Sequence, residues 1–156
     1  MTRATDAAAA SGLPHRVVRT EPARSAEEAA ERQAVPLDRL LKTIVVRRGE
    51  DDFVFVLVPG DRGIDWPKLR RHLGVNRLSL PDRAEAERVT GYAPGTITPY
   101  GATTAWPVVL DASAATPGVV AIGGGEPGVN LHLDALDLAR DLRADTVDVT
   151  SPRGER

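Results

Sequence analysis

The chain has no cysteine. That removes disulfides, thiolate metal sites and cysteine nucleophiles, and it accords with a reducing, cytoplasmic setting. Aromatic residues are only 4% of the 156, so a core must be built mainly from aliphatic side chains. No apolar run approaches the length of a membrane span, and no membrane partner is expected. Histidine is scarce: His15, His72 and His132 stand apart, with no pair at metal-ligand spacing. Neither a metal nor another cofactor is therefore expected. No serine sits in a nucleophile elbow, and no Gly-Lys-Ser/Thr follows a glycine-rich loop. Lysine is nearly missing too. Of 20 basic side chains only Lys42 and Lys68 are lysine, and the others are arginine. The net charge of −2 argues against general polyanion binding. It leaves room for local patches at Arg47-Arg48 and Arg70-Arg71-His72, each of which also reads as a solvated face. Any nucleic-acid contact is thus expected at one end or one loop of the partner.

What is present is ordinary for one globular domain: 42% hydrophobic and 27% charged residues. Residues 1–12 are Ala-rich and polar without a signal-peptide core, and read as a disordered N-terminal tail. Residues 13–150 form the folded domain, and 151–156 a charged C-terminal tail. Strands are expected over 15–20, 41–48, 53–58, 77–80, 107–110, 119–122, 129–133 and 146–149. Ser25, Asp65, Asp82 and Asp134 each stand where a helix N-cap belongs. The helices they open run to about residues 33, 73, 90 and 142. The 41–48 and 53–58 runs carry consecutive apolar residues, so both faces of their sheet should be covered. Hairpins mixed with longer crossovers point to an α+β or mixed α/β architecture with helices around a central sheet.

Three features carry chemistry. Lys42 lies in Leu40-Leu41-Lys42-Thr43-Ile44-Val45-Val46, a β-branched run in which an ammonium must find a partner, a cleft or solvent. A compact charge at a strand start suits a phosphate or a polarised carbonyl. The same residue also reads as a strand-end lysine snorkelling to water. Gly91-Tyr92-Ala93-Pro94-Gly95-Thr96-Ile97-Thr98-Pro99-Tyr100-Gly101 is a stiff loop, either a crossover or one wall of a site. Gly123-Gly124-Gly125-Glu126-Pro127-Gly128 is either a glycine-rich hairpin turn or a nest of backbone N–H groups for an oxyanion. Asp111, after an apolar strand, reads first as an acceptor for backbone amides, and His132 as a residue on the outer face of its strand.

Lys42-Thr43, the 91–101 loop and the glycine turn, in that order and spacing, resemble the YbaK/ProRS-associated family of aminoacyl-tRNA deacylases over residues 15–149. The Val58-Pro59-Gly60-Asp61 stretch and Leu110-Asp111 also fit. The resemblance implies a single-domain α+β fold with a mixed, barrel-like β-sheet flanked by helices. It implies a freestanding enzyme hydrolysing the ester of mischarged tRNA, with Cys- or Ala-tRNA for proline as targets. The implied partners are the aminoacylated tRNA 3′ end and prolyl-tRNA synthetase. The resemblance implies catalytic roles for Lys42, Gly124 and Gly125, and substrate-binding roles for Thr43, Gly91, Gly95, Pro99, Gly101, Gly123 and Gly128. A proton route through the substrate's own ribose hydroxyl is implied as well. Relatives often carry a basic residue after the glycines, whereas here Glu126 and Pro127 stand there. Two other outcomes stay open from the sequence: a catalytically silent tRNA- or synthetase-binding regulator of the same fold, and a hydrolase of a small-molecule ester. Pocket size depends on the facing of side chains such as Leu13, Val18, Ile44 and Ile97.

Overall fold

The computed structural model describes residues 1–154. Its centre is a long antiparallel hairpin of β2 (Leu41–Gly49) and β3 (Asp52–Pro59). Phe53, Phe55 and Leu57 enter one core cluster with Leu41 and Val45. Val54, Val56 and Val58 enter a second, with Val46 and Leu69. Successive strand residues point to opposite faces, so a strand covered on both faces needs an unbroken apolar run, and all six of these side chains are at most 1% exposed. Two parallel partners extend the sheet beyond β3: β5 (Val108–Asp111), then β8 (Asp145–Val147).

A second, antiparallel sheet places β7 (Val129–Asp134) between β1 (Arg16–Arg19) and β6 (Val119–Gly123). The two sheets meet where Leu40, just before β2, bridges Ala121 of β6. The result is barrel-like and mixed, as expected, but open rather than closed. Helices α2 (Ala26–Gln33), α3 (Trp66–Leu73), α4 (Arg83–Thr90) and α5 (Ala135–Asp141) begin at the N-caps Ser25, Asp65, Asp82 and Asp134, and each cap side chain accepts a backbone N–H of the first turn. Such caps are typically worth about 1 kcal/mol each. At α2 the Glu28 carboxylate reaches back to the Arg24 amide at 3.1 Å, one residue short of the Ser25 amide a full capping box would engage.

Several expectations are corrected. The N-terminus is not a disordered tail: α1 (Arg3–Ser11) is a helix with a Thr2/Thr5 capping box, and it buries Ala4, Thr5 and Ala8. Alanine permits this close approach because it adds almost no bulk. Residues 77–80 do not form a strand. Only Ser79 pairs, exchanging backbone hydrogen bonds of 2.8 and 3.1 Å with Arg47. The 59–63 loop and the C-terminal tail hide a small antiparallel pair, β4 (Arg62–Ile64) with β9 (Thr150–Pro152). His132 does not face outward. It is 7% exposed beneath α2, where its Nε2 shares a 2.9 Å hydrogen bond with Gln33 Oε1.

Candidate active site

Lys42, the second residue of β2, is half-buried. Its Nζ donates to the backbone carbonyl of Arg62 at 3.0 Å. Arg62 is itself fixed. Its guanidinium donates to Thr150 Oγ1 at 2.6 Å and lies 3.9 Å from the buried Asp111 carboxylate. Asp111 also accepts the amides of Ser113 and Val149, which is the strand-end role its sequence position suggests. Burial is the main cause holding the Lys42 pKa below the ordinary lysine value. Arg153 pushes the same way, and Glu27 and Asp61 oppose it.

Lys42 lines a cavity of about 500 Å³, within the size range of small-ligand sites. Four segments wall it. The first is 20–29 with Gln33. The second is Leu40 to Thr43, and the third is Pro94 to Ile97. The fourth is the hairpin of β6 and β7, from Ala121 to Gly123 and from Glu126 to Asn130. Lys42, Thr43, Gly95, Gly123 and Gly128 are therefore brought together around one cavity. The Thr43 hydroxyl is buried there without a hydrogen-bond partner among the described residues. Such an unpaired group normally costs about 1–3 kcal/mol.

The other expected residues lie behind the walls. Gly124, Gly125, Gly91, Pro99 and Gly101 do not line the cavity. The Gly124 amide donates to Val129 O at 2.8 Å, and its carbonyl accepts the Thr2 hydroxyl at 2.6 Å, so its polar groups are spent on the turn and on α1. Gly101 is glycine for a packing reason. At φ +71°, a side chain there would come within 2.6 Å of the Arg3 backbone and of the Tyr92 hydroxyl. Of the side chains proposed to set pocket size, Ile97 lines it, while Leu13 and Ile44 pack into the two cores. Arg24, Gln33 and Asn130 line the cavity too, and no local motif marks them in the sequence. Among the described residues no three His, Cys, Asp or Glu side chains cluster as metal ligands, and no helix is long and apolar enough to cross a membrane.

Residues 20–140 match the profile of the aminoacyl-tRNA editing domain. The chain belongs to this family. It is 30% identical over 126 residues to the proline–tRNA ligase of Trichlorobacter lovleyi, covering 81% of this chain and 22% of that one. It is 27% identical to EbsC of Enterococcus faecalis, a candidate Cys-tRNA(Pro)/Cys-tRNA(Cys) deacylase, over 70% of this chain and 66% of that one. The chain thus spans about a fifth of the ligase and less than two thirds of EbsC. A solved structure of a candidate trans-editing enzyme for prolyl tRNA synthetase superposes with a TM-score of 0.87 at 28% identity, covering 96% of this chain and 95% of that one. The editing-domain profile spans the Lys42–Thr43 wall, the 94–97 wall and the glycine turn together, and it leaves α1 outside.

Proposed function

We propose that this protein is an aminoacyl-tRNA deacylase that hydrolyses the ester joining a wrong amino acid to the 3′ end of a tRNA, with cysteine or alanine on tRNA for proline as its targets. The observation that carries the proposal is the convergence of Lys42, Thr43 and the 94–97 loop on one cavity. The names borne by the ligase, by EbsC and by the trans-editing structure support the substrate class.

The residues divide the chemistry as follows. Water attacks the ester carbonyl carbon, the carbonyl oxygen takes up negative charge, and the bond to the ribose oxygen breaks. Gly95 and Ile97 line the cavity, and their amides make no hydrogen bond to the protein among the described residues. In this reading these amides serve as the oxyanion donors in place of Gly124 and Gly125, which do not line the cavity. A preorganised donor of this kind typically contributes about 3 kcal/mol. Lys42 supplies the compact charge for the developing oxyanion or the terminal phosphate. The leaving ribose oxygen takes the proton, carried by the adjacent ribose hydroxyl, so no side-chain base is needed. The synthetase partner is part of the same proposal.

The test is single-turnover release of amino acid from a panel of preformed mischarged tRNAs, varying both amino acid and tRNA. Fastest release from Cys- or Ala-tRNA for proline is the expected result. Binding of these tRNAs without turnover would overturn the enzymatic assignment and favour a silent regulator.

A further inference from the structure

The two walls of the cavity are held from outside by the first residues of the chain. Arg3, at the start of α1, donates through Nε to Gly101 O at 3.1 Å and through Nη2 to Gly91 O at 2.9 Å. Those are the two ends of the loop whose middle, Pro94 to Ile97, lines the cavity. The same guanidinium lies 4.8 Å from the centre of the Tyr92 ring, a cation–π distance. The Tyr92 hydroxyl donates to Tyr100 O at 2.6 Å and closes the loop across its own base. One residue earlier, Thr2 donates its hydroxyl to Gly124 O at 2.6 Å and so grips the glycine turn. The walls touch at Gly123, where a side chain would press on Ile97 O at 3.4 Å and Thr96 O at 3.6 Å. A side chain at Gly125 would collide with the Tyr92 ring at 2.9 Å and crowd Ala4 at 3.3 Å. Gly91, Gly101 and Gly125 therefore serve the close seating of α1.

We infer that Thr2 and Arg3 form a clamp on the candidate active site. Arg3 is a positioning residue that fixes the 94–97 wall, and hence its amides, against the glycine turn. The guanidinium suits this task because its planar fork reaches two carbonyls at once. Arg3 is exposed overall, so its removal empties no core space. The lost quantity is registry between two loops. A displacement of about 1 Å at the reacting groups can lower a rate about 100-fold.

The test uses the full chain with Arg3→Ala, Arg3→Lys and, as a control for α1 itself, Asp6→Asn. Asp6 is an exposed first-turn residue of the same helix. Amide hydrogen exchange by mass spectrometry reads the clamp directly and does not depend on the deacylase assignment. In Arg3→Ala the exchange of peptides over 91–101 should rise about tenfold or more, with the β2–β3 hairpin unchanged. The kinetic arm rests on the deacylase proposal. There the single-turnover rate at saturating mischarged tRNA should fall about tenfold or more, with the half-saturating concentration little changed. Arg3→Lys should recover part of both losses, because it keeps the charge over Tyr92 but lacks the fork. Unchanged loop exchange in Arg3→Ala would overturn the inference, as would equal losses in Asp6→Asn, which would reduce α1 to a stability element. If the wild type hydrolyses no mischarged tRNA, the function falls while the exchange arm still decides the clamp.

Discussion

At the scale of single residues, Lys42 and two threonines separate function from packing. Lys42→Ala removes a half-buried side chain whose only hydrogen bond among the described residues is to Arg62 O. The fold should survive, and deacylation should fall at least ~100-fold, equivalent to about 3 kcal/mol of transition-state stabilisation. Lys42→Arg should not recover the full rate, since the broader fork cannot occupy the same point. Circular dichroism with single-turnover kinetics checks both, and near-wild-type rates in folded Lys42→Ala would move the chemistry elsewhere. Thr43 and Thr98 both bury a hydroxyl with no partner among the described residues. Thr98 lies behind the cavity wall at 0% exposure, so Thr98→Val should raise stability by about 1 kcal/mol at little cost in rate. Thr43 lines the cavity, so Thr43→Val should gain comparable stability and lose activity. Denaturant melts beside rate measurements separate the two, and identical behaviour would remove Thr43 from the site. The place of Lys42 in the cavity wall is legible because a lone ammonium in a β-branched run demands an explanation. The standing of Gly124 and Gly125 is not, because the side of a glycine turn that meets the cavity is decided by Thr2, Tyr92 and Ala4 far away in sequence.

At the scale of elements, four helix starts were legible because an N-cap is a local interaction. Ser25, Asp65, Asp82 and Asp134 each satisfy an amide two or three residues on. The β2–β3 hairpin was legible from its two unbroken apolar runs. What failed was decided at long range. Helix α1 has no apolar stripe of large side chains. Its burial comes from small residues seated on glycine loops some ninety residues or more away in sequence. The expected strand at 77–80 had the right residue types but only one partner, at Arg47. His132 looked outward from Leu131-His132-Leu133 because strand alternation does not reveal that α2 covers that face. Its burial has a measurable consequence. Desolvation, then the charge of Arg16, holds the folded-state pKa of His132 below the ordinary histidine value. The unfolded chain therefore takes up a proton first, near pH 6.5. This contribution to stability is complete above that pH and is lost as pH falls through the lower folded pKa. The capping carboxylate of Asp134 is held below the ordinary aspartate value by backbone N–H groups, that of Gly118 first, and its contribution disappears only in a more acidic range, below about pH 4. Wild-type Tm should thus drop between pH 7 and pH 5, and His132→Gln, which can still meet Gln33, should flatten that drop. Parallel Tm profiles for the two proteins would show that His132 titrates freely in the fold.

At the scale of the whole molecule, the open seam between the two sheets and the uneven placement of charge set how the proposed tRNA substrate would be met. The seam at Leu40 and Ala121 lies in the wall of the cavity, so the site sits where neither sheet closes on the other. Near the far end of β2, the two basic motifs seen in the sequence converge. Arg47, Arg48, Arg70 and Arg77 line one second cleft. Arg47 is paired with Glu85 and Arg48 with Asp52, while Arg70 and Arg77 have no carboxylate within salt-bridge distance among the described residues. Arg47 is five residue steps along β2 from Lys42, and at a rise of about 3.3 Å per step this cleft lies roughly 17 Å along the strand from Lys42. If, as proposed, a chain at −2 overall meets a tRNA only at its 3′ end and at these two arginines, binding should release few counterions. The slope of log affinity against log salt for uncharged tRNA should be on the order of −1 to −3. Neutralising both arginines in Arg70→Ala/Arg77→Ala should make that slope shallower by up to about two, while release of amino acid from a short aminoacylated 3′ fragment stays unchanged. Fluorescence anisotropy across a salt series measures the first quantity and single-turnover kinetics the second. A wild-type slope near −8 would reveal a broad tRNA interface, and an unchanged slope in the double variant would leave Arg70 and Arg77 as solvated surface. That result would confine tRNA contact to the cavity between the sheets.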